Sequence, residues 1–200
     1  PFKTAAAVNF AQEVILTTGG AIGAMSAGDI DRDGDIDLIV SGETNTNGMS
    51  RLSKYVNDGA GSFTISPLGT NVYLSSGSLG DIDMDGDLDY IASGDSGSSS
   101  NRLDRYINDG SGTFGAASPF GAGIRAGATA LGDIDGDGDL DLVATGNSGG
   151  PLQLVWYTNT GAGAFGGANV FGTGVKEVAS VSLVDLDGDG DLDVVACGSN

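Results

Sequence analysis

Asp133-Ile-Asp-Gly-Asp-Gly-Asp-Leu-Asp141, followed at once by Leu142-Val-Ala-Thr-Gly146, is the stretch from which the fold can be read. It puts five aspartates into nine residues and then enters a short apolar run. The pattern occurs three more times, as Asp29-Ile-Asp-Arg-Asp-Gly-Asp-Ile-Asp37, Asp81-Ile-Asp-Met-Asp-Gly-Asp-Leu-Asp89 and Asp185-Leu-Asp-Gly-Asp-Gly-Asp-Leu-Asp193. Successive first aspartates are 52, 52 and 52 residues apart. A constant period of this length is the mark of a repeat architecture.

The repeat reaches well past the acidic loop. Each loop leads into an apolar run: Leu38-Ile-Val-Ser-Gly42, Tyr90-Ile-Ala-Ser-Gly94, Leu142-Val-Ala-Thr-Gly146 or Val194-Val-Ala-Cys-Gly198. Tyr55-Val-Asn-Asp-Gly59, Tyr106-Ile-Asn-Asp-Gly110 and Tyr157-Thr-Asn-Thr-Gly161 come next, and Phe63, Phe114 and Phe165 follow them. Short apolar runs bounded by Gly, Asn, Asp and Ser read as strands, and Asn-Asp-Gly as a tight hairpin. Each unit therefore holds about four strands, which predicts an all-β fold: a β-propeller of four ~52-residue repeats with four-stranded blades.

Composition agrees. Gly supplies 36 of 200 residues, against a usual share of about 7%, which argues against long helices because interior glycine destabilises them. The period and the four prolines exclude collagen. The formal charge is −19, and the four loops hold 20 of the 27 acids and one of the 8 bases, Arg32, leaving 7 acids against 7 bases elsewhere. So acidic a chain is a poor partner for nucleic acid, which needs a basic footprint. No apolar run approaches the roughly 20 residues of a membrane span, so no membrane insertion is expected. There is no histidine and one cysteine, Cys197, which removes the commonest general base and any internal disulfide. Beginning at Pro1 and lacking a signal pattern, the sequence reads as a mature or excised form.

The spacing inside the loops points to a metal. Carboxylates at positions 1, 3, 5 and 9 converge on one point, and the glycine at position 6 permits the reversal. These are Asp29, Asp31, Asp33 and Asp37; Asp81, Asp83, Asp85 and Asp89; Asp133, Asp135, Asp137 and Asp141; Asp185, Asp187, Asp189 and Asp193. Position 7 (Asp35, Asp87, Asp139 or Asp191) is placed to offer its backbone carbonyl with its side chain outward. A set of hard oxygens without nitrogen or sulfur favours Ca2+, about four ions in all, one per repeat. An EF-hand is excluded, because position 12 is Val40, Ala92, Ala144 or Ala196.

Together these loops and the Tyr-x-Asn-Asp-Gly-x-Gly-x-Phe segments resemble the FG-GAP/VCBS repeats of integrin α-subunit propellers and of many secreted bacterial proteins. The resemblance covers nearly the whole chain as a single domain, residues 1–200. It implies a calcium-stabilised β-propeller, with the metal loop between the first two strands of a blade.

Aligning Phe10 with Phe114 makes the N-terminus the end of a blade whose first half the C-terminus supplies, so shared terminal strands are expected to close the ring. That closure requires residues 1–18 to be strand rather than a short helix. The repeated tyrosines and phenylalanines read as packing between blades, Arg51, Arg102 and Arg105 as partners of nearby acids, and Cys197 as a small buried strand residue. Trp156 stands where the other repeats carry Lys54 and Arg105 and is a candidate sugar platform. The polar loops at 43–50, 95–101 and 147–150 are candidate binding loops.

The expected function is a non-enzymatic calcium-binding module, extracellular or at the cell surface, for adhesion or structural assembly. Its partner is expected to be a protein or glycan ligand, or another copy of itself. The alternative is a calcium-stabilised lectin. Catalysis is not expected, because the acids outside the loops (Glu13, Glu43, Asp58, Asp95, Asp104, Asp109 and Glu177) mostly read as turn residues.

Overall fold

The computed structural model describes residues 23–44, 50–70, 73–95, 101–122, 125–147, 152–175 and 177–199. They form fourteen strands, all paired antiparallel, in four sheets. Sheet one runs β1 (Ala24–Gly28), β2 (Asp37–Thr44), β3 (Ser50–Asn57), β4 (Phe63–Thr70). Sheet two runs β5 (Tyr73–Gly80), β6 (Asp89–Asp95), β7 (Asn101–Tyr106), β8 (Ser118–Ala122). Sheet three runs β9 (Arg125–Gly132), β10 (Asp141–Asn147), β11 (Leu152–Tyr157), β12 (Asn169–Val175). Sheet four has β13 (Glu177–Val184) and β14 (Asp193–Ser199). No helix occurs among the described residues, and none is long and apolar enough to cross a membrane.

Each 52-residue unit is thus one meander sheet, and each aspartate loop joins its first strand to its second. The second strand of sheet two reads as an unbroken apolar run because neighbouring sheets cover both of its faces. Tyr90, Ile91 and Ala92, three consecutive residues of β6, are all buried. Ile39 and Leu52 of sheet one meet Tyr90 and Tyr106 of sheet two, with Phe114 packed alongside. One sheet further on, Ile82, Ile91 and Leu103 meet Leu142 and Tyr157, flanked by Phe165. Phe120 of sheet two stacks on Phe165 at 4.6 Å and meets Tyr157 edge-on at 5.8 Å. The repeated aromatics therefore pack between sheets, as expected, and Arg102 pairs with Asp104 at 2.5 Å.

The first strands of successive sheets lie side by side, and a glycine at the end of each permits the approach. A Cβ on Gly28 would stand 2.6 Å from Leu88, and one on Gly132 would stand 2.8 Å from Leu183 and Leu192. The fourth repeat carries Val184 at this place, and it is 40% exposed.

Among the described residues the four sheets are not closed into a ring. Residues 1–18, on which the closure and the strand-or-helix question turn, lie outside the described residues, as does most of the three polar loops. The C-terminal repeat does supply only a first half, β13 and β14. One expectation is corrected here: Cys197 is exposed, whereas its equivalents Ser41, Ser93 and Thr145 are fully buried. Those three lie in sheets that have a following sheet to cover them; among the described residues sheet four has none.

Candidate metal centres

Each aspartate loop is wound by its own carboxylates. The position 1 aspartate accepts a hydrogen bond from the N–H of the position 6 glycine: Gly34 to Asp29 at 3.1 Å, Gly86 to Asp81 at 3.0 Å, Gly138 to Asp133 at 3.1 Å and Gly190 to Asp185 at 3.1 Å. These glycines take φ between 89° and 99°, the left-handed side that other residues avoid. Position 4 is also left-handed, at φ 77° and 80° in Gly136 and Gly188 but at 62° and 63° in Arg32 and Met84. The first two loops thus hold a side chain in a disfavoured conformation. The sequence signalled this only indirectly, through glycine at position 4 of the other two repeats.

The winding gathers oxygens. In the first two loops, Asp29, Asp31 and Asp33, and Asp81, Asp83 and Asp85, bring carboxylate oxygens within 4.8 Å of one another. In the last two, Asp133, Asp135 and Asp141, and Asp185, Asp187 and Asp193, do the same. Positions 1 and 3 therefore converge in every loop, joined by position 5 in two and by position 9 in the others. Asp37, Asp89, Asp137 and Asp189 stand outside these triads.

Position 9 has a second task. Its carboxylate accepts the N–H of position 2, from Ile30 to Asp37 at 3.0 Å, Ile82 to Asp89 at 3.1 Å, Ile134 to Asp141 at 3.1 Å and Leu186 to Asp193 at 3.0 Å. Its other oxygen accepts the N–H of the hairpin asparagine: Asn57 to Asp37 and Asn108 to Asp89 at 2.8 Å, Asn159 to Asp141 at 2.7 Å. Each oxygen keeps a further lone pair.

Position 7 departs from the expectation of an outward side chain. Asp87 and Asp139 are 4% and 8% exposed. Their carboxylates lie under the hairpin glycine of their own sheet, where a Cβ on Gly110 or Gly161 would come within 2.8 Å or 2.7 Å of them. Arg32, reaching across from sheet one, stands 3.6 Å from Asp87. Asp191, for which sheet four shows no hairpin among the described residues, remains exposed.

The residues fit a hard divalent cation. Two oxygens bound to one Ca2+ at about 2.4 Å each lie no more than about 4.8 Å apart, a limit that the oxygens of every triad meet. Buried oxygens of Asp29, Asp81, Asp83 and Asp87 have no hydrogen-bond partner, and such groups are costly unless something satisfies them. The carboxylates also crowd one another. Burial, followed by the charges of Asp37 and Asp33, raises the pKa of Asp31. Burial and Asp85 raise that of Asp83, and burial and Asp85 outweigh Arg32 at Asp87. Asp89 is pushed up to about 6, chiefly by burial, although the N–H groups of Asn108 and Ile82 pull it down.

Beside this acidic rim is an apolar cavity of about 280 Å³ between sheets three and four, lined by Ile134, Val143, Trp156, Phe171 and Val194.

Comparison with known proteins returned a family and a fold. Among solved structures, the chain is similar to one described as the basis of specific recognition of non-reducing terminal N-acetylglucosamine by an Agrocybe aegerita lectin. The TM-score is 0.57 at 22% identity, over 85% of this chain and 45% of that one. The likeness shows a shared fold, and the chain aligns with less than half of the lectin's length. No curated protein matches. Residues 81–144 and 133–196 each match the FG-GAP-like repeat, so that more than half of the chain is covered. With its aspartate loops, hairpins and sheet-per-repeat architecture, the chain belongs to the FG-GAP-like repeat family.

Proposed function

We propose that this chain is a non-enzymatic, calcium-stabilised β-propeller module that works outside the cell, binding a protein or glycan ligand in adhesion or structural assembly. The observation that carries the calcium reading is the repeated triad of carboxylate oxygens within 4.8 Å, one per loop. Four bound Ca2+ would change the formal charge from −19 to −19 + 8, or −11, and relieve the repulsion inside each loop. Extracellular modules hold calcium at roughly 10⁻⁴–10⁻³ M, a range that suits loops this exposed and keeps them filled outside the cell. The FG-GAP-like membership and the lectin-like fold support a binding role. Catalysis lacks a candidate base, since histidine is absent and the strongly displaced carboxyl, Asp89, belongs to a metal loop. The test is a thermal melt in millimolar calcium, in millimolar magnesium and in chelator. Stabilisation by calcium and little by magnesium supports the reading, and coincident melts reject it.

A second reading, a lectin, is favoured by Trp156, which opens onto the apolar cavity where an aromatic face can stack against a sugar ring. The similar lectin is described as recognising terminal N-acetylglucosamine. Trp156 is the only tryptophan, so its fluorescence reports on the cavity alone. Saturable quenching by an N-acetylglucosamine-terminated oligosaccharide supports this reading, and an unchanged spectrum in calcium removes it.

A further inference from the structure

The aspartate loops of neighbouring sheets are tied together by one asparagine each. Asn108, 3% exposed, sits in the hairpin of sheet two, yet its side-chain amide donates to the Ile30 carbonyl of the first loop at 2.7 Å. The other hydrogen of that amide goes to the Leu88 carbonyl of its own loop at 3.1 Å. Its backbone N–H donates to Asp89 at 2.8 Å, and its side-chain oxygen accepts the N–H of Asp109 at 3.0 Å. The side-chain amide, its oxygen and the backbone N–H of the residue are all engaged. Asn159, also 3% exposed, repeats the arrangement one sheet further on. It donates to the Ile82 carbonyl of the second loop at 2.7 Å, to Leu140 at 3.1 Å and to Asp141 at 2.7 Å. Gly163 adds a second donor to the Ile82 carbonyl at 2.9 Å.

The places gripped matter. Ile30 lies between Asp29 and Asp31, and Ile82 between Asp81 and Asp83, the two aspartates that converge in every loop. Fixing the carbonyl between them fixes the direction of both carboxylates. At the other end, the asparagine is held by the position 9 aspartate of the next loop, which also holds that loop's own position 2 N–H. A continuous path therefore runs from Ile30 through Asn108, Asp89, Ile82 and Asn159 to Asp141 and Ile134. All of its hydrogen bonds but the last, which is part-buried, are buried, and in a low dielectric such chains act together.

We propose that Asn108 and Asn159 are positioning residues that couple the metal loops of adjacent sheets, so that loading one loop raises the calcium affinity of the loop before it. The coupling rests on the calcium reading above, and by linkage it acts equally in both directions. Asn57 serves as an internal reference. It keeps the bonds to its own loop, to Asp37 and to Ile36, but among the described residues its amide reaches no loop of another sheet.

The experiment uses the whole chain and hydrogen exchange of the amides in 29–37, followed through a calcium titration. Asp83→Asn with Asp85→Asn blocks the second loop. In the otherwise unchanged chain, blocking it is expected to shift the calcium midpoint of the first loop upward roughly fivefold, the worth of one net hydrogen bond. In Asn108→Ala, the first-loop midpoint is already raised and no longer depends on whether the second loop is blocked. Asn57→Ala retains the dependence. If Asn108→Ala does not fold, Asn159→Ala gives the same cycle between the second and third loops. A first-loop midpoint indifferent to blocking, with calcium still protecting 29–37, overturns the coupling and leaves the calcium reading standing. A dependence that survives Asn108→Ala also overturns it. Absence of protection by calcium in any loop overturns both.

Discussion

Replacing Asp89 with asparagine separates the two tasks of a position 9 carboxylate. Asp89 is fully buried and accepts N–H groups from Asn108 at 2.8 Å and Ile82 at 3.1 Å. Without metal, its carboxyl is displaced from 3.8 to about 6, a charge-burial cost of about 3 kcal/mol at neutral pH. Asparagine removes that cost but turns an NH2 toward one of the two donors. The lost bond and the orphaned N–H cost about 1–3 kcal/mol. In chelator the two effects offset, and Asp89→Asn should melt within a few degrees of the parent. Asp89 lies outside the second loop's triad, but the loop spacing makes position 9 a closing ligand, and on that reading the variant in calcium also loses the stabilisation from an occupied second loop, about 2.7 kcal/mol at a hundredfold excess over Kd. For a chain of this size that is a drop of roughly 5–10 °C. The assay is scanning calorimetry of both proteins at neutral pH, in millimolar calcium and in chelator. An equal loss in the two buffers would refute the reasoning, since Asp89 would then only tie backbone.

The chelated protein should respond to pH in an unusual sense. Asp89 titrates higher in the folded chain than its ordinary 3.8, so its contribution is fully present below that value and is lost as pH rises through about 6. Asp31, Asp83 and Asp87 are displaced in the same direction. Urea midpoints should therefore fall between pH 4 and 7 in chelator and hold or rise in calcium; a fall of the same size in both would contradict the account. Gly77→Ala would drive a methyl into the Tyr90 ring and to 2.9 Å from the Ile91 carbonyl, costing about 1–3 kcal/mol or more in urea titration, and an unchanged midpoint would show that the Tyr90 ring does not lie over Gly77. Leu103→Ala, at a fully buried position between sheets two and three, should cost about 2–5 kcal/mol with or without calcium; a cost that appears only in calcium would place Leu103 outside the core.

Much of this was legible in the residues because each unit repeats its chemistry at a fixed period. The loops, the second strands and the hairpins recur at matching places, so position 1 of one loop predicted position 1 of the rest. What escaped the sequence were contacts between repeats. Asn108 reads as a turn residue in Tyr-x-Asn-Asp-Gly, and its bond to Ile30 spans 78 positions that no local pattern connects. The burial of Asp87 and Asp139 escaped for a different reason: the hairpin that covers each comes about 20 residues later in the same repeat, at Gly110 and Gly161, and the loop spacing alone does not fold it back. Cys197 was misread because similarity to Ser41, Ser93 and Thr145 reports the strand position and not whether another sheet lies over it. Trp156 was singled out as the exception among its repeat partners, and it lines the apolar cavity.

The most direct test of the central claim is calcium stoichiometry by native mass spectrometry after exhaustive chelation and stepwise return of calcium. The account predicts saturation at four ions per chain, falling to three when Asp133→Asn and Asp135→Asn disable the third loop. A chain that takes up no calcium, or a count unmoved by disabling a loop, would contradict it.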